Sequence, residues 1–260
     1  MPLELVDTHC HLDLEPLAGM VEAVLERARS AGLTHCISIG TTLEASLANV
    51  ELARRDPMVR AAVGVHPNES DAATEAVLKE IERLATDPAV VAIGEVGLDT
   101  YRRRVPLARQ EEALRAFVAI ARRTRLPLLI HCRDAYEPLL ALLRAAAPPP
   151  IRGIIHCASG PPEFIRGALE LGLHISFAGN VTFPNTQALR ALVPLVPDER
   201  LLIETDAPFL APQPVRGTPN EPAHVAHTAA ALAALRGTTP EALGAFTSRN
   251  ARQLFGLTAL

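Results

Sequence analysis

The chain has 260 residues, of which 48% are hydrophobic and only 3% aromatic, so length and composition predict one globular domain, residues 1–260, with an aliphatic core. Its 25 basic and 29 acidic residues give a net charge of −4, which excludes a protein that coats nucleic acid or an anionic membrane with a basic surface. Without a signal-like N-terminus or an apolar run near the roughly 20 residues of a membrane span, we expect a cytoplasmic protein that makes no membrane contact.

Apolar runs typical of β-strands alternate with helical patterns along the chain. The predicted strands lie near residues 4–8, 34–40, 60–65, 89–95, 127–132, 151–157, 173–178 and 201–205. Apolar residues spaced three and four apart predict helices that include 17–31, 72–85, 110–123, 136–147, 186–193 and 240–255. Strands that alternate with helices form parallel βαβ units, and this number of units predicts a single-domain (β/α)8 barrel, or TIM barrel.

The first predicted strand leads directly into His9 and His11. Side chains two residues apart on a strand point to the same side, so the two imidazoles are expected to lie close together. Paired neutral imidazoles can form half of a divalent-metal site. Taken alone, the pair is equally consistent with two histidines that happen to fall in a turn.

Four later predicted strands also lead into a side chain that can bind a metal ion. They lead into Glu95, His131, His156 and Asp206. In a TIM barrel, the active groups lie at the carboxyl ends of the strands, where these residues would meet. We therefore predict that these residues form a metal centre together with His9 and His11. The alternative is that they are buried polar groups that only form hydrogen bonds with one another.

Several ordered motifs carry a resemblance to a known family. They are His9-x-His11, GVHP (64–67), GEVGLD (94–99), IHCRD (130–134), HCASG (156–160), ETDAPFL (204–210) and PVRGTPNEP (214–222). Nearly end to end, the chain resembles the TatD family of metal-dependent hydrolases, a branch of the amidohydrolase superfamily. It departs from the family pattern at Thr100 and Ala158, where aromatic residues are commoner, and this leaves the substrate preference open.

The resemblance implies a centre of two divalent ions, with Mg, Mn and Zn all open. His9, His11 and Asp206 would hold one ion and His131 and His156 the other, with Glu95 as a bridge. Asp206 is the expected general base, because a carboxylate at the edge of a metal site can take a proton from water. Glu204 and His66 are candidates for orienting these groups without binding metal, and a plain structural role fits them equally well.

Candidate phosphate contacts lie on the loops that follow the strands. Arg133 shares the face of His131, and its guanidinium could receive a phosphate oxygen. Further candidates are Tyr101, Arg102, Arg103, Ser159 and Arg216, although solvated surface positions explain the charged ones at least as well. Cys10, Cys132 and Cys157 each adjoin a predicted ligand and are expected to point the other way, as buried packing residues.

Three functions are compatible with these observations. The first is a 3′ to 5′ exodeoxyribonuclease acting on DNA strand ends, as the resemblance implies. The second is a metal-dependent deacylase or amidohydrolase that cleaves a C–O or C–N bond, and the third is a metal-binding or nucleic-acid-binding module without activity. Asp206 argues against the third, because binding alone needs no base. The sequence leaves the oligomeric state open, a monomer included.

Overall fold

The computed structural model describes residues 3–258, which form a barrel of eight parallel strands in sequential order. Every strand pairs in parallel with the next, so all carboxyl ends lie at the same end of the barrel. The predicted TIM barrel is confirmed. The strands are β1 (Leu5–Cys10), β2 (Leu33–Ile39), β3 (Val59–Val63), β4 (Val90–Asp99), β5 (Leu128–Arg133), β6 (Gly153–Ile155), β7 (His174–Phe177) and β8 (Leu201–Ile203).

Helices surround the barrel. They are α1 (Val21–Ser30), α2 (Leu43–Arg55), α3 (Glu75–Leu84), α4 (Leu107–Thr124), α5 (Tyr136–Ala146), α6 (Pro162–Glu170), α7 (Gln187–Arg190), α8 (Val225–Arg236) and α9 (Pro240–Phe255). The helix predicted over 186–193 is reduced to the single turn α7, because Pro194 has no N–H to donate to the carbonyl of Arg190. Within residues 3–258, no helix combines the length and apolar character needed to cross a bilayer.

The amino end of the barrel is closed by α9. Leu254 and Phe255 pack against the side chains that fill the barrel interior, such as Val6 and Leu202. The Ser248 hydroxyl also donates to the Glu4 carbonyl at 2.9 Å, just before β1. With this end filled, the open end lies where the strands finish.

Strands β1 and β8 close the barrel through bonds beside the predicted ligands. The Asp206 N–H donates to the His9 carbonyl at 2.8 Å, and the His11 N–H donates to the Ala207 carbonyl at 2.7 Å. The Thr8 hydroxyl adds a bond to the Ile203 carbonyl at 3.0 Å. The contacts that complete the barrel therefore fix the backbone of Asp206 relative to that of the His-x-His pair.

Candidate metal centre

A cavity of about 610 Å³ lies at the carboxyl ends of the strands. Its walls include five of the predicted ligands, namely His11, Glu95, His131, His156 and Asp206. His9 is fully buried and contacts the same cluster. Another cavity, of about 400 Å³ at the amino ends of β5 and β6, is walled by apolar side chains and arginines and has no His, Asp or Glu. Of these two cavities, only the first is lined by the side chains that a metal hydrolase uses.

His9, His11 and Asp206 form one group of candidate ligands. Their nearest side-chain atoms lie within 4.8 Å of one another. Asp206 Oδ1 is 3.5 Å from the Nε2 atom of each histidine, and the two Nε2 atoms are 3.1 Å apart. The same-side placement predicted from the strand period is found, and the three side chains could hold a divalent cation.

Glu95 lies between this group and a second one. Its Oε2 atom is 3.6 Å from His9 Nε2 and 3.9 Å from His11 Nε2. Its Oε1 atom is 2.9 Å from His131 Nδ1 and 3.0 Å from His156 Nε2. Each carboxylate oxygen thus faces a different set of imidazoles, which is the arrangement that a bridging carboxylate needs.

Two ligand imidazoles are oriented by acceptors behind them. His11 Nδ1 lies 3.3 Å from the Ile39 carbonyl, and His156 Nδ1 lies 3.3 Å from Glu204 Oε1. Because each acceptor receives a hydrogen bond from the Nδ1–H, the Nε2 lone pair is left to face the centre. Glu204 is fully buried and also accepts the Cys157 N–H at 2.7 Å, so it holds both the ring and the backbone of this segment.

The protonation states in the cluster depend on the balance between burial and the neighbouring charged groups. Burial lowers the pKa of His9 well below its usual value, and the neighbouring imidazole of His156 adds to this effect. Burial alone would raise the pKa of Glu95, because it disfavours the charged carboxylate. The neighbouring imidazoles of His156 and His66 outweigh this effect and hold the pKa of that carboxyl well below its usual range. A neutral imidazole and an ionised carboxylate are the forms that bind a divalent cation.

The other three histidines respond to the carboxylates around them. Burial opposes protonation of His11, His131 and His156, yet nearby carboxylates raise the pKa of each. For His11 the main partner is Asp206, and for His156 it is Glu95. The cluster is therefore an acidic pocket that attracts either protons or cations, and the two compete for it.

Asp99 is a site residue that the sequence analysis missed. Its Oδ2 atom lies 3.4 Å from His131 Nε2 and accepts a bond from the Asn68 amide at 2.9 Å. Asp99 thereby orients His131 so that Nδ1 faces Glu95. The sequence carried a signal, because Asp99 ends the GEVGLD motif and lies four residues after Glu95, on the same side of a regular strand.

His66 approaches the cluster as a hydrogen-bond donor. Its Nδ1 atom accepts the Asn68 N–H at 3.0 Å, which assigns the proton of the neutral ring to Nε2. Burial lowers its pKa to about 4, so the ring is neutral near pH 7. Nε2 is 3.6 Å from Glu95 Oε1. His66 also lies close to Asp99 and His131, but a protonated Nε2 has no lone pair for a cation, so this trio fits a metal less well.

A second missed residue, Asp7, lies buried beside the His-x-His pair. Its carboxyl group accepts bonds from the Thr205 hydroxyl at 2.5 Å and the Thr205 N–H at 2.9 Å. It also accepts the His9 N–H at 3.2 Å. Burial raises its pKa to about 8, despite these bonds. Asp7 thus ties β1 to the segment that carries Asp206, and its position two residues before His9 was the available signal.

The predicted substrate contacts are distributed unevenly. Arg102, Arg133 and Ser159 line the cavity, together with Arg104, which the sequence analysis did not single out. Tyr101 stacks under Arg133, whose guanidinium carbon lies 3.8 Å from the ring centroid. Tyr101 itself does not line the cavity, and neither do the last two candidates. Arg216 stacks on Phe183, and the Arg103 guanidinium donates to the Thr100 carbonyl.

The cysteines adjoining the ligands behave differently from one another. Cys10 is buried in the core, as expected. Cys132 is also buried there, but it reaches the cavity wall as well. Cys157 is partly exposed and lines the cavity, contrary to expectation. Its φ of 46° and its position two residues after the end of β6 place it in a turn, where the alternation of a strand no longer applies.

A TIM barrel with histidines and carboxylates gathered at the carboxyl ends of its strands is typical of a metal-dependent hydrolase. A sequence model of the family "TatD related DNase" matches residues 6–256. An "uncharacterized metal-dependent hydrolase YabD" of Bacillus subtilis is 37% identical over 96% of this chain and 98% of its own length. A "3′-5′ ssDNA/RNA exonuclease TatD" of Rahnella sp. is 39% identical over 91% of this chain and 92% of its own.

Solved structures agree with these sequence matches. The crystal structure of YJJV, a TatD homologue from Escherichia coli, superposes with a TM-score of 0.93 at 30% identity and covers 99% of this chain and 100% of that one. The chain belongs to the TatD family and is a metal-dependent hydrolase.

Proposed function

We propose that the protein is a divalent-metal-dependent phosphodiesterase that removes nucleotides from the 3′ ends of single-stranded DNA. The observation that carries this proposal is the position of Glu95, whose two oxygens face two separate groups of ligands. Such an arrangement suits a pair of cations, and paired cations are common in phosphodiester hydrolysis. The exonuclease name of the Rahnella relative supports the choice of substrate.

The residues fit two cations in their donor types. His9, His11 and Asp206 would hold one and His131 and His156 the other, with Glu95 between them. Bound ions would supply positive charge against the phosphate and make a water molecule more acidic, with a pKa of about 7. Asp99 and Glu204 keep the imidazoles of His131 and His156 in place for this role.

The protein's own side chains would perform the remaining steps. Asp206 would accept the proton of the attacking water, because its carboxylate is at the edge of the cluster and 16% exposed. Arg133 and Arg102 line the same cavity and would donate to phosphate oxygens. The His66 Nε2–H faces Glu95 Oε1 at 3.6 Å and would help to hold that carboxylate in position.

The test is hydrolysis by the metal-loaded protein of 5′-labelled single-stranded DNA with a free 3′ end, with a blocked 3′ end, or closed into a circle. We expect stepwise shortening of the first substrate alone. A Glu95→Gln protein purified in the same way is the control, because activity that survives in it would come from a contaminating nuclease.

A parallel panel of phosphomonoesters, carboxylic esters and amides separates the alternatives. Efficient cleavage of circles would contradict action at ends. Rapid ester or amide hydrolysis with no cleavage of any DNA would replace the phosphodiesterase proposal with the deacylase or amidohydrolase alternative.

A further inference from the structure

Exposed aromatic rings are rare in this protein and flank the candidate centre. The chain has seven Phe, two Tyr and no Trp. Among residues 3–258, the aromatic side chains that remain largely exposed are Tyr101, at 60%, and Phe209, at 52%. Phe209 lines the cavity, and Tyr101 stacks under Arg133 on its wall. An exposed aromatic ring on the wall of a cavity indicates a surface for binding.

Phe209 is fixed in position relative to the general base. Its N–H donates to the Asp206 carbonyl at 2.9 Å, and its own carbonyl accepts the Asn220 side-chain amide at 2.6 Å. The same amide holds the Thr205 carbonyl at 2.9 Å. The ring centroid lies 6.1 Å from that of His11, with the planes at 69°. The ring is thus held at the edge of the ligand cluster.

The two exposed rings differ in what covers them. The Arg133 guanidinium occupies one face of Tyr101, at 3.8 Å from the ring centroid. No cation stacks on Phe209 among residues 3–258. Phe209 therefore keeps a ring surface free for a flat apolar group that reaches the cavity, while the Tyr101–Arg133 pair presents positive charge.

We propose that Phe209 is the stacking platform for the unpaired base of the nucleotide at the 3′ end, whose phosphate lies at the metal centre. This inference rests on the proposed function and explains how the protein would select single-stranded ends. Bases of every kind have a π-face and stack on aromatic side chains with little sequence preference. A base at the end of a duplex is paired and stacked, so a platform here favours single strands.

The test compares single-stranded oligonucleotides that end in a normal nucleotide or in an abasic tetrahydrofuran residue. For the wild-type protein we expect kcat/KM to be about 5- to 150-fold higher with the normal end, the range given by one stacked base. Phe209→Ala should lose this preference by slowing only the normal substrate, and Phe209→Trp should retain it. Leu235→Ala is the matched control, because Leu235 is 39% exposed near the end of α8.

A binding measurement provides a readout that does not depend on turnover. An oligonucleotide with 2-aminopurine at its 3′ end and an uncleavable methylphosphonate in the last linkage should show quenched fluorescence with wild-type protein. The quenching should be lost with Phe209→Ala, whose metal content should match that of the wild type.

Distinct results separate the two proposals. A wild-type protein that cleaves both ends at equal rates would leave the proposed function intact and refute the stacking platform. The platform would also be refuted if Phe209→Ala slowed both substrates equally, because the ring would then only shape the metal site. A wild-type protein that cleaves neither oligonucleotide would refute the proposed function, and the platform with it.

Discussion

Asp206 and Glu95 are both carboxylates beside histidines, but their surroundings suit different tasks. The Glu95 side chain is 5% exposed and has imidazoles on both sides, whereas that of Asp206 is 16% exposed at the cavity edge. A proton taken by Asp206 can therefore leave to solvent, while Glu95 is enclosed as a bridge would be.

Replacing Asp206 with Asn should lower kcat by about 10² or more, because the variant lacks the base and has a weaker ligand. The fold should persist, since Asn tolerates the φ of 57° at this position. Asp134→Asn is the matched control, because Asp134 has a φ of 56° and lies outside the cavity wall. Steady-state rates and thermal unfolding check both; near-normal rates in Asp206→Asn would remove its assigned role.

The buried histidines His35 and His174 should make the protein sensitive to acid. Burial lowers the pKa of each from 6.5 to about 4, and nearby arginines add to the shift. Below pH 6.5 these histidines are protonated in the unfolded chain but stay neutral in the native state. The free energy of unfolding therefore decreases as the pH falls from about 6.5 toward about 4.

The corresponding measurement is urea unfolding at pH 7.5 and pH 5, with chelator present throughout. The double variant His35→Gln, His174→Gln should lose less stability between the two pH values than the wild type, by roughly 1–3 kcal/mol for each histidine. Equal losses would show that these side chains do not set the acid sensitivity.

At the scale of elements, the strands β3, β4 and β5 approach one another through glycines next to Glu95. A Cβ atom on Gly64 would lie 2.7 Å from the Gly94 carbonyl carbon, and one on Gly94 would lie 2.5 Å from the Leu129 Cβ. A Cβ on Gly97 would lie 1.9 Å from the His131 carbonyl oxygen. The glycines thus permit the strand spacing that brings Glu95 to His131.

Gly97→Ala should therefore separate β4 from β5 and weaken metal binding. Because its φ of 148° also disfavours a side chain, we expect a loss of about 3 kcal/mol or more in the free energy of unfolding. Gly237→Ala is the control: Gly237 has a φ of 63° but open space around it, so only about 1 kcal/mol should be lost and metal content should not change. Denaturant unfolding measures the free energy of unfolding of both variants, and elemental analysis measures their metal content. Similar losses in the two variants would contradict the role of close packing between β4 and β5.

The sequence predicted the barrel and the meeting of the candidate ligands at one end of it, because both depend on where strands end. His9, His131 and His156 lie within or just after strands, and parallel strands bring their carboxyl ends together. The prediction failed where strands are irregular. Strand β4 shifts register between Ile93 and Val96 and continues to Asp99, so the partner of His131 lay beyond the predicted end of the strand.

At the scale of the whole molecule, barrel closure and the metal centre are linked. The bonds between β1 and β8 involve the backbones of His9, His11 and Asp206. Cations that bind these side chains would also hold the two ends of the sheet together, and binding to the native state alone stabilises it. The negative net charge is compatible with a nucleic-acid substrate only because arginines are placed locally, at the mouth of the cavity.

The most direct test is a titration of metal-free protein with Mn²⁺ or Zn²⁺, in which bound metal and cleavage of 3′-ended single-stranded DNA are measured together. We predict that activity is absent without metal and reaches its plateau at about two ions per chain, and that Glu95→Gln binds fewer ions and stays inactive. Full activity with chelator present, or a plateau at one ion per chain, would contradict the two-cation centre.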